Sequence, residues 1–227
     1  AEQAFVHNEK GDAKAAIAGA AKKVEAVYAY PYQNHACMEP LNATALYAPD
    51  NCKVWVGTQN GEAALAAARE ASGLPVEKVD VVKLLLGGGF GRRGFTDYVR
   101  QAVLIAKEMP GTPVKLLWSR EEDMLHGKYH PVMQAKLTGG LDAGGNLTGL
   151  AIRLSGQSIL ASVRPEALDK GKDPFSFQGF WPAGEHSFEY TIANLKIDHA
   201  MRNAHVPPGF WRGVNINQNA IFLECFM

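Results

Sequence analysis

A glycine-rich segment at residues 87–94, Gly-Gly-Gly-Phe-Gly-Arg-Arg-Gly, constrains the fold of this chain more than any other feature. Glycine loses more conformational freedom on folding than other residues. Five glycines among eight residues are therefore expected only where the backbone needs a positive φ or where another group approaches it closely. An apolar run at residues 79–86 precedes the segment, and a helical pattern at residues 97–109 follows it. The sequence predicts a buried strand, a tight loop and a helix in succession.

This predicted junction points to an anionic ligand. Backbone N–H groups at the N-terminus of a helix bind phosphate well, and the two loop arginines, Arg92 and Arg93, add positive charge. Residues 89–94 also match the G-x-G-x-x-G pattern of dinucleotide-binding domains, with Glu121 as the acidic residue that would bind the ribose. A Rossmann-type NAD(P)- or FAD-binding oxidoreductase domain is therefore one interpretation. The hairpin-rich second half of the chain fits that interpretation poorly.

Composition excludes several classes of protein. The 227 residues carry 23 basic and 23 acidic side chains, so a net charge of zero argues against a nucleic-acid or membrane-surface binder. The three cysteines are too few and too widely spread for a disulfide framework or a zinc site. No apolar run approaches the length of about 18 residues that a membrane span needs. We expect neither nucleic acid nor a membrane span.

The pattern of elements predicts an α+β fold with mixed sheets flanked by helices. Strands and helices alternate in the first part, whereas alternating strands around the turn at residues 142–146 indicate a hairpin in the second. We therefore expect one subdomain over residues 1–130 and a second over residues 131–227. The chain starts without Met and stops within an apolar pattern, which suggests a fragment of a longer polypeptide.

Four segments together resemble one family. They are His-Ala-Cys-Met-Glu-Pro at 35–40, Val-Trp-Val-Gly-Thr-Gln at 54–59, Gly-Gly-Gly-Phe-Gly at 87–91, and Phe-Trp-Arg-Gly at 210–213 leading to Phe-Leu-Glu-Cys at 222–225. In this order they are similar to the molybdopterin-binding subunit of the xanthine oxidase family of molybdenum hydroxylases. The resemblance is closest to the isoquinoline 1-oxidoreductase beta subunit and related aldehyde dehydrogenases.

The resemblance implies a fold, a cofactor, a partner and a reaction. The fold would be part of the molybdopterin-binding domain. The cofactor would be molybdopterin, commonly as the cytosine dinucleotide in bacterial members, and the pterin rather than the protein would hold the metal. The partner would be a small iron–sulfur subunit with two [2Fe-2S] clusters. The enzyme would hydroxylate an aldehyde or an N-heteroaromatic carbon with oxygen from water. The sequence leaves the compartment open between the bacterial cytoplasm and the periplasm.

The same resemblance implies roles for individual residues. Gln59 would act catalytically by hydrogen-bonding an oxo ligand near the metal, and Arg212 by stabilising negative charge that develops on an oxygen. The loop would bind the cofactor through its backbone, at Gly88, Gly89, Phe90, Gly91 and Arg92.

Two departures from the family pattern limit these implications. Arg93 and Gly94 stand where purine-oxidising members carry Lys-Glu, so purine oxidation is disfavoured. The Gly-x-Gly-Glu segment with the family's catalytic glutamate does not occur here, and we expect that glutamate beyond Met227. The chain by itself is therefore expected to be inactive and to lack tightly bound cofactor.

Structural alternatives stay open for these residues. Gln59 would cap the following helix through its turn, and Arg212 would stack on a neighbouring aromatic ring. The alternating His35, Cys37 and Glu39 would bind a metal or, on the better interpretation, support the loop structurally. The two loop arginines would be solvated rather than ligand-binding.

Overall fold

The computed structural model describes residues 4–227, which contain eleven strands and six α-helices. The strands are β1 (Phe5–Lys10), β2 (Lys22–Tyr30), β3 (Gln33–Asn34), β4 (Asn42–Ala48), β5 (Asn51–Gly57), β6 (Val79–Leu84), β7 (Val114–Leu117), β8 (Tyr129–His130), β9 (Met133–Leu141), β10 (Leu147–Gly156) and β11 (Asn194–Met201). The helices are α1 (Ala13–Ala18), α2 (Gly61–Ser72), α3 (Asp97–Lys107), α4 (Arg120–Leu125), α5 (Ile159–Val163) and α6 (Ile216–Glu224). The predicted α+β class with mixed sheets is confirmed.

The chain forms two compact units. The discontinuous unit comprises the residues up to Gln33 together with Tyr129–Met227, and the central unit comprises Asn34–Lys128. The boundaries between the units fall after Gln33 and after Lys128, and the subdomains expected over residues 1–130 and 131–227 stay a prediction. The first strands join the later part of the chain because β2 pairs along its whole length with β9.

The discontinuous unit is built on a five-stranded sheet in the order β1-β11-β10-β9-β2. The neighbouring strands β10 and β11 run parallel, and the other pairs are antiparallel. Leu137, Ile152 and Ile197 lie side by side across three strands and are buried on one face. Helix α6 adds Phe222 and Leu223 to this core, so the segment that precedes α6 is attached to a rigid base.

The predicted hairpin around residues 142–146 joins β9 to β10, as expected. The Asp142 carboxylate accepts hydrogen bonds from the backbone N–H groups of Gly144 and Asn146, both at 2.9 Å. These local bonds close the turn without help from the rest of the fold.

The central unit is built on a four-stranded sheet in the order β6-β5-β4-β7. Ala45 of β4 lies opposite Val54 of β5, and both side chains are buried in a core that α2 and α3 also line. Helix α2 begins at a cap where the Asn60 side chain accepts the N–H of Ala63 at 3.0 Å, and it ends at the left-handed Gly73. The strands and helices around the glycine segment were therefore predicted correctly in type.

The strand that leads into the glycine segment is not buried, contrary to the prediction. Within residues 4–227, strand β6 is an edge strand that pairs with β5 alone, and it ends at Leu84. The side chains of Leu84 and Leu85 are 47% and 99% exposed. Sequence hydrophobicity predicted burial here because an apolar run alone does not distinguish a central strand from an edge strand.

The sheet topology also contradicts the Rossmann interpretation. A doubly wound dinucleotide-binding sheet is parallel, whereas β4 pairs antiparallel with both β5 and β7. Strand β7, which would present the ribose-binding acid, lies at the opposite edge of the sheet from β6. Glu121 lies in the first turn of α4 rather than at a strand end.

Within residues 4–227, no helix combines the length and apolar character that crossing a bilayer requires.

Acidification is expected to destabilise the discontinuous unit. Burial lowers the pKa of both His130 and His199 in the folded protein. The unfolded chain then binds more protons once the pH falls below about 6.5, so stability is complete above that pH and decreases below it. The thermal unfolding midpoint should therefore fall between about pH 7.5 and about pH 5, and less so in His199→Leu than in the parent protein. A midpoint independent of pH over this range would contradict the prediction.

Candidate functional site

The glycine segment folds into a loop with an unusual backbone. Gly88, Phe90 and Gly91 have φ values of 97°, 50° and 100°. A positive φ is readily adopted by glycine but is uncommon for a bulky residue such as phenylalanine. A 3₁₀ turn over Arg92–Gly94 follows, and α3 begins only at Asp97. The glycines are therefore needed for the conformation of the loop, which does not open directly into a helix.

Gln59 packs directly on this loop. Its Oε1 accepts the N–H of Gly91 at 2.9 Å, and a Cβ added at Gly89 would lie 2.5 Å from the same oxygen. A backbone N–H can only donate, so the amide orientation is settled and Nε2 keeps its hydrogens for another acceptor. The helix-capping alternative for Gln59 is wrong, because Asn60 supplies the cap of α2.

A row of backbone donors lies next to this amide. The N–H groups of residues 88–90 have no hydrogen-bond acceptor among residues 4–227. The N–H groups on either side are satisfied: Gly87 donates to Glu39 Oε2 at 2.8 Å, and Gly91 donates to Gln59. Consecutive free N–H groups in a tight loop form a concave site for an anion or an oxygen atom. The chemistry of the loop is therefore that of an oxygen-binding cradle.

The buried side chain of Arg93 holds the glycine loop in place through hydrogen bonds. Its side chain is fully buried and donates to the carbonyl of Gly88 at 2.8 Å, to the carbonyl of Glu39 at 2.7 Å and to Glu39 Oε2 at 2.8 Å. Burial alone would raise the pKa of Glu39, but the hydrogen bonds from Gly87 and Asn42 and the charge of Arg93 outweigh it and lower that pKa. Glu39 is therefore an ionised support for the loop.

The rest of the segment at residues 35–40 is also structural. Cys37 is buried, and its thiol contacts the carbonyl of Gly89 at 3.4 Å. Burial raises the pKa of this thiol, so it stays protonated at neutral pH. Arg120 donates to the carbonyls of Cys37 and Met38. Among residues 4–227 no three His, Cys, Asp or Glu side chains are placed to hold a metal ion.

The other loop arginine is engaged inside the central unit. The guanidinium of Arg92 forms two hydrogen bonds with the Asp97 carboxylate, at 2.9 and 2.7 Å, and lies 5.5 Å from the ring of Trp118. Arg92 and Arg93 are both buried, so the expectation that they are solvated is wrong. That Arg92 contacts the cofactor stays a prediction, and its side chain has a structural role in addition.

Arg212 belongs to the discontinuous unit, whereas Gln59 and the loop belong to the central unit. Arg212 is exposed, and no acceptor for its guanidinium is found in the part of the chain that the structure describes. It borders an open hollow of about 520 Å³ together with Tyr30, Trp211 and Ile221. The alternative that Arg212 stacks on a neighbouring aromatic ring stays a prediction. A free cation beside an apolar hollow can stabilise negative charge on a bound molecule.

Sequence reasoning missed two members of the site. Arg93 was expected either to bind a ligand or to be solvated, and Glu39 either to bind a metal or to support its loop, whereas the two side chains form an ion pair beneath the glycine loop. One sequence feature could have indicated the contact. Glu39 and Arg93 lie in the segments at 35–40 and 87–94, and the family resemblance draws on both segments. Nothing in local sequence indicates that two charged side chains so far apart in the chain will meet.

Comparison with known proteins identifies the kind of domain. A family model described as "Molybdopterin cofactor-binding domain" matches residues 1–168. The chain is 28% identical over 197 residues to a protein of Gluconacetobacter polyoxogenes called membrane-bound aldehyde dehydrogenase [pyrroloquinoline-quinone], with 85% of this chain and 25% of that protein covered. It is 26% identical over 185 residues to isoquinoline 1-oxidoreductase subunit beta of Brevundimonas diminuta, covering 80% of this chain and 23% of the relative.

A solved structure shows the same fold. Quinoline 2-oxidoreductase from Pseudomonas putida 86 superposes with a TM-score of 0.74 at 16% identity, over 94% of this chain and 27% of that one. The chain thus spans about a quarter of the length of the proteins that it matches.

Proposed function

Because the chain belongs to the molybdopterin cofactor-binding domain family, we propose that the protein it comes from is a molybdenum hydroxylase. The reaction is the oxidation of an aldehyde or an N-heteroaromatic carbon with oxygen derived from water. The names of the relatives, an aldehyde dehydrogenase and an isoquinoline oxidoreductase, support these two substrate classes. Purines are disfavoured because Arg93, in place of the family's lysine–glutamate pair, is buried under the loop.

The observation that carries the proposal is the row of free N–H groups at residues 88–90 beside the oriented amide of Gln59. These donors suit a group that presents oxygen atoms and is not held by protein ligands. The glycine at position 89 keeps the approach open, since a side chain there would meet Gln59. The residues present therefore fit a molybdopterin cofactor, which when bound supplies a two-electron acceptor and the oxygen to be transferred.

The side chains of this chain then have separate tasks. Gln59 donates a hydrogen bond from Nε2 to an oxygen atom of the bound group and adds no charge. The loop N–H groups fix that group in one orientation without reorganisation during the reaction. Arg212 stabilises negative charge on the oxygen that develops at the substrate. A carboxylate base is not among the motifs of these 227 residues, and the proposal places it elsewhere in the protein.

Two finer assignments rest on the family resemblance. The cofactor is molybdopterin cytosine dinucleotide, and the electrons pass to the two [2Fe-2S] clusters of a small partner subunit. Neither assignment uses a residue of this chain directly.

The experiment is metal and nucleotide analysis of the natural-length protein, purified with its partners. We expect about one molybdenum per subunit, as set by a single loop site, and release of cytidine monophosphate on acid hydrolysis. Release of guanosine monophosphate would correct the dinucleotide alone. Absence of molybdenum, with a bound nicotinamide, flavin or quinone cofactor, would overturn the proposal.

A further inference from the structure

The turn that carries Arg212 enters α6 through one peptide unit, between Val214 and Asn215. Two buried side chains hold this unit from its opposite ends. The Nε2 atom of His130 lies 2.9 Å from the carbonyl oxygen of Val214, and the N–H of Asn215 donates to Gln178 Oε1 at 3.0 Å. All of these residues belong to the discontinuous unit. Side chains that are 84 and 37 residues away in sequence therefore restrain the same peptide plane.

The restrained peptide follows a strained residue. Val214 has a φ of 51°, which a β-branched side chain rarely adopts. A left-handed valine persists only where surrounding contacts enforce it, because rotation of the adjacent peptide would relieve the strain. The backbone of Arg212 is fixed in the same turn, since its carbonyl accepts a hydrogen bond from Asn217. The position of the guanidinium thus depends on a conformation that the turn would not adopt alone.

His130 is itself held in one place. It is fully buried, and its ring lies 4.8 Å from the ring of Tyr30 and 5.8 Å from that of Trp211. Its Nδ1 atom lies 2.9 Å from the carbonyl of Pro131, so both ring nitrogens face carbonyl oxygens. Burial lowers the pKa of His130 despite these carbonyls, and a neutral ring has a single N–H. Each nitrogen lies 2.9 Å from a carbonyl oxygen, so the hydrogen on Nε2, where it bonds Val214, is part of the proposal that follows.

A polar network surrounds the restrained peptide. Gln218 donates to the side chain of Asn215 at 2.7 Å, and Asn219 donates to the carbonyls of Gln178 and Ser176 at 2.8 and 3.0 Å. The same network leaves four buried atoms without a partner among residues 4–227: Ser176 Oγ, Asn215 Nδ2, Gln218 Oε1 and Asn219 Oδ1. Burying unpaired polar atoms is unfavourable, so such a network at a helix start calls for a functional explanation.

We propose that His130 and Gln178 are positioning residues for Arg212: together they clamp the Val214–Asn215 peptide and so fix the turn that presents the guanidinium. The clamp is inferred from two hydrogen bonds within the discontinuous unit, one from His130 and one to Gln178. Its consequence for turnover rests on the proposed function, in which Arg212 acts on the substrate.

Hydrogen–deuterium exchange of the Asn215 amide in the natural-length protein tests the clamp directly. His130→Leu and Gln178→Leu should each speed this exchange by about tenfold or more, because each removes one of the two bonds to the peptide. His130→Gln should exchange more slowly than His130→Leu, because its amide can still donate to Val214. His199→Leu is the matched control, since His199 is equally buried but contacts the carbonyl of Gly156 at 3.2 Å. It should leave the exchange of Asn215 unchanged.

Measurement of kcat distinguishes a positioning role of His130 from a purely structural one. With rates expressed per bound molybdenum, His130→Leu should lower kcat by about tenfold or more and leave the thermal unfolding midpoint close to that of His199→Leu. Exchange at Asn215 that is unchanged, or no faster than in His199→Leu, would overturn the clamp. Faster exchange with unchanged kcat would overturn the positioning role. Since exchange needs no cofactor, a protein without molybdenum would refute the proposed function and leave the clamp standing.

Discussion

Replacing Gly89 with alanine is expected to reduce turnover by about 100-fold and to lower the molybdenum content of the purified protein. The new Cβ would lie 2.5 Å from Gln59 Oε1 and 2.6 Å from its Cδ, a distance that no relaxed structure tolerates. Gln59 must then move, and it loses its bond to the N–H of Gly91. Misplacement of a binding group by about 1 Å costs on the order of 100-fold in rate. Metal analysis and steady-state kinetics on the same preparation measure both effects.

Gly94→Ala is the matched control, because a Cβ at that position meets nothing within 4 Å. Both substitutions add one methyl group to the same loop, so only the contact with Gln59 distinguishes them. Equal losses in the two variants would mean that the loop tolerates no substitution at all, and the argument from Gln59 would fail.

Replacing Arg93 with methionine is expected to lower the free energy of unfolding by about 3 kcal/mol or more, because each buried carbonyl left without its donor costs about 1–3 kcal/mol. The methionine fills a similar volume but leaves the carbonyls of Gly57, Gly88 and Glu39 without their donor. The Glu39 carboxylate loses its counter-ion at the same time. Urea unfolding of the parent protein and of the variant measures the change in the free energy of unfolding.

Arg100→Met provides the comparison. Arg100 pairs with Glu70 on the surface, where both side chains are largely exposed, and such pairs contribute little to stability. We expect little or no change in unfolding for this variant. A comparable loss in both variants would show that removal of a positive charge, rather than of the buried network, destabilises the protein.

The position of Arg93 explains why three sequence segments that are far apart form one motif. The segment at residues 35–40 contains Glu39, the segment at 54–59 contains Gln59, and the segment at 87–91 forms the glycine loop that both contact. Arg93 donates to the carbonyls of Glu39 and Gly88, so its side chain links the first segment to the loop. The motif is therefore one hydrogen-bonded structure that is encoded in three places.

Local physical chemistry determined a large part of this protein from sequence alone. The capping of α2 by Asn60 and Gly73 and the turn closed by Asp142 depend on bonds between near neighbours, so a short stretch of sequence contains the information. The same holds for the glycine loop, whose positive φ values at Gly88 and Gly91 require glycine. The family was identified from the resemblance of the four segments in their order, which the family model that matches residues 1–168 confirms.

Only the tertiary structure decided how distant parts of the chain meet. It paired β2 with β9, which placed residues 4–33 in the discontinuous unit, and it made β6 an exposed edge strand. It also buried Arg93 against Glu39 and brought His130 to the peptide before α6. Each outcome depends on contacts between residues that are tens to more than a hundred positions apart. Such contacts leave no periodicity in the sequence, because the energy that selects them comes from burial and pairing in the assembled fold.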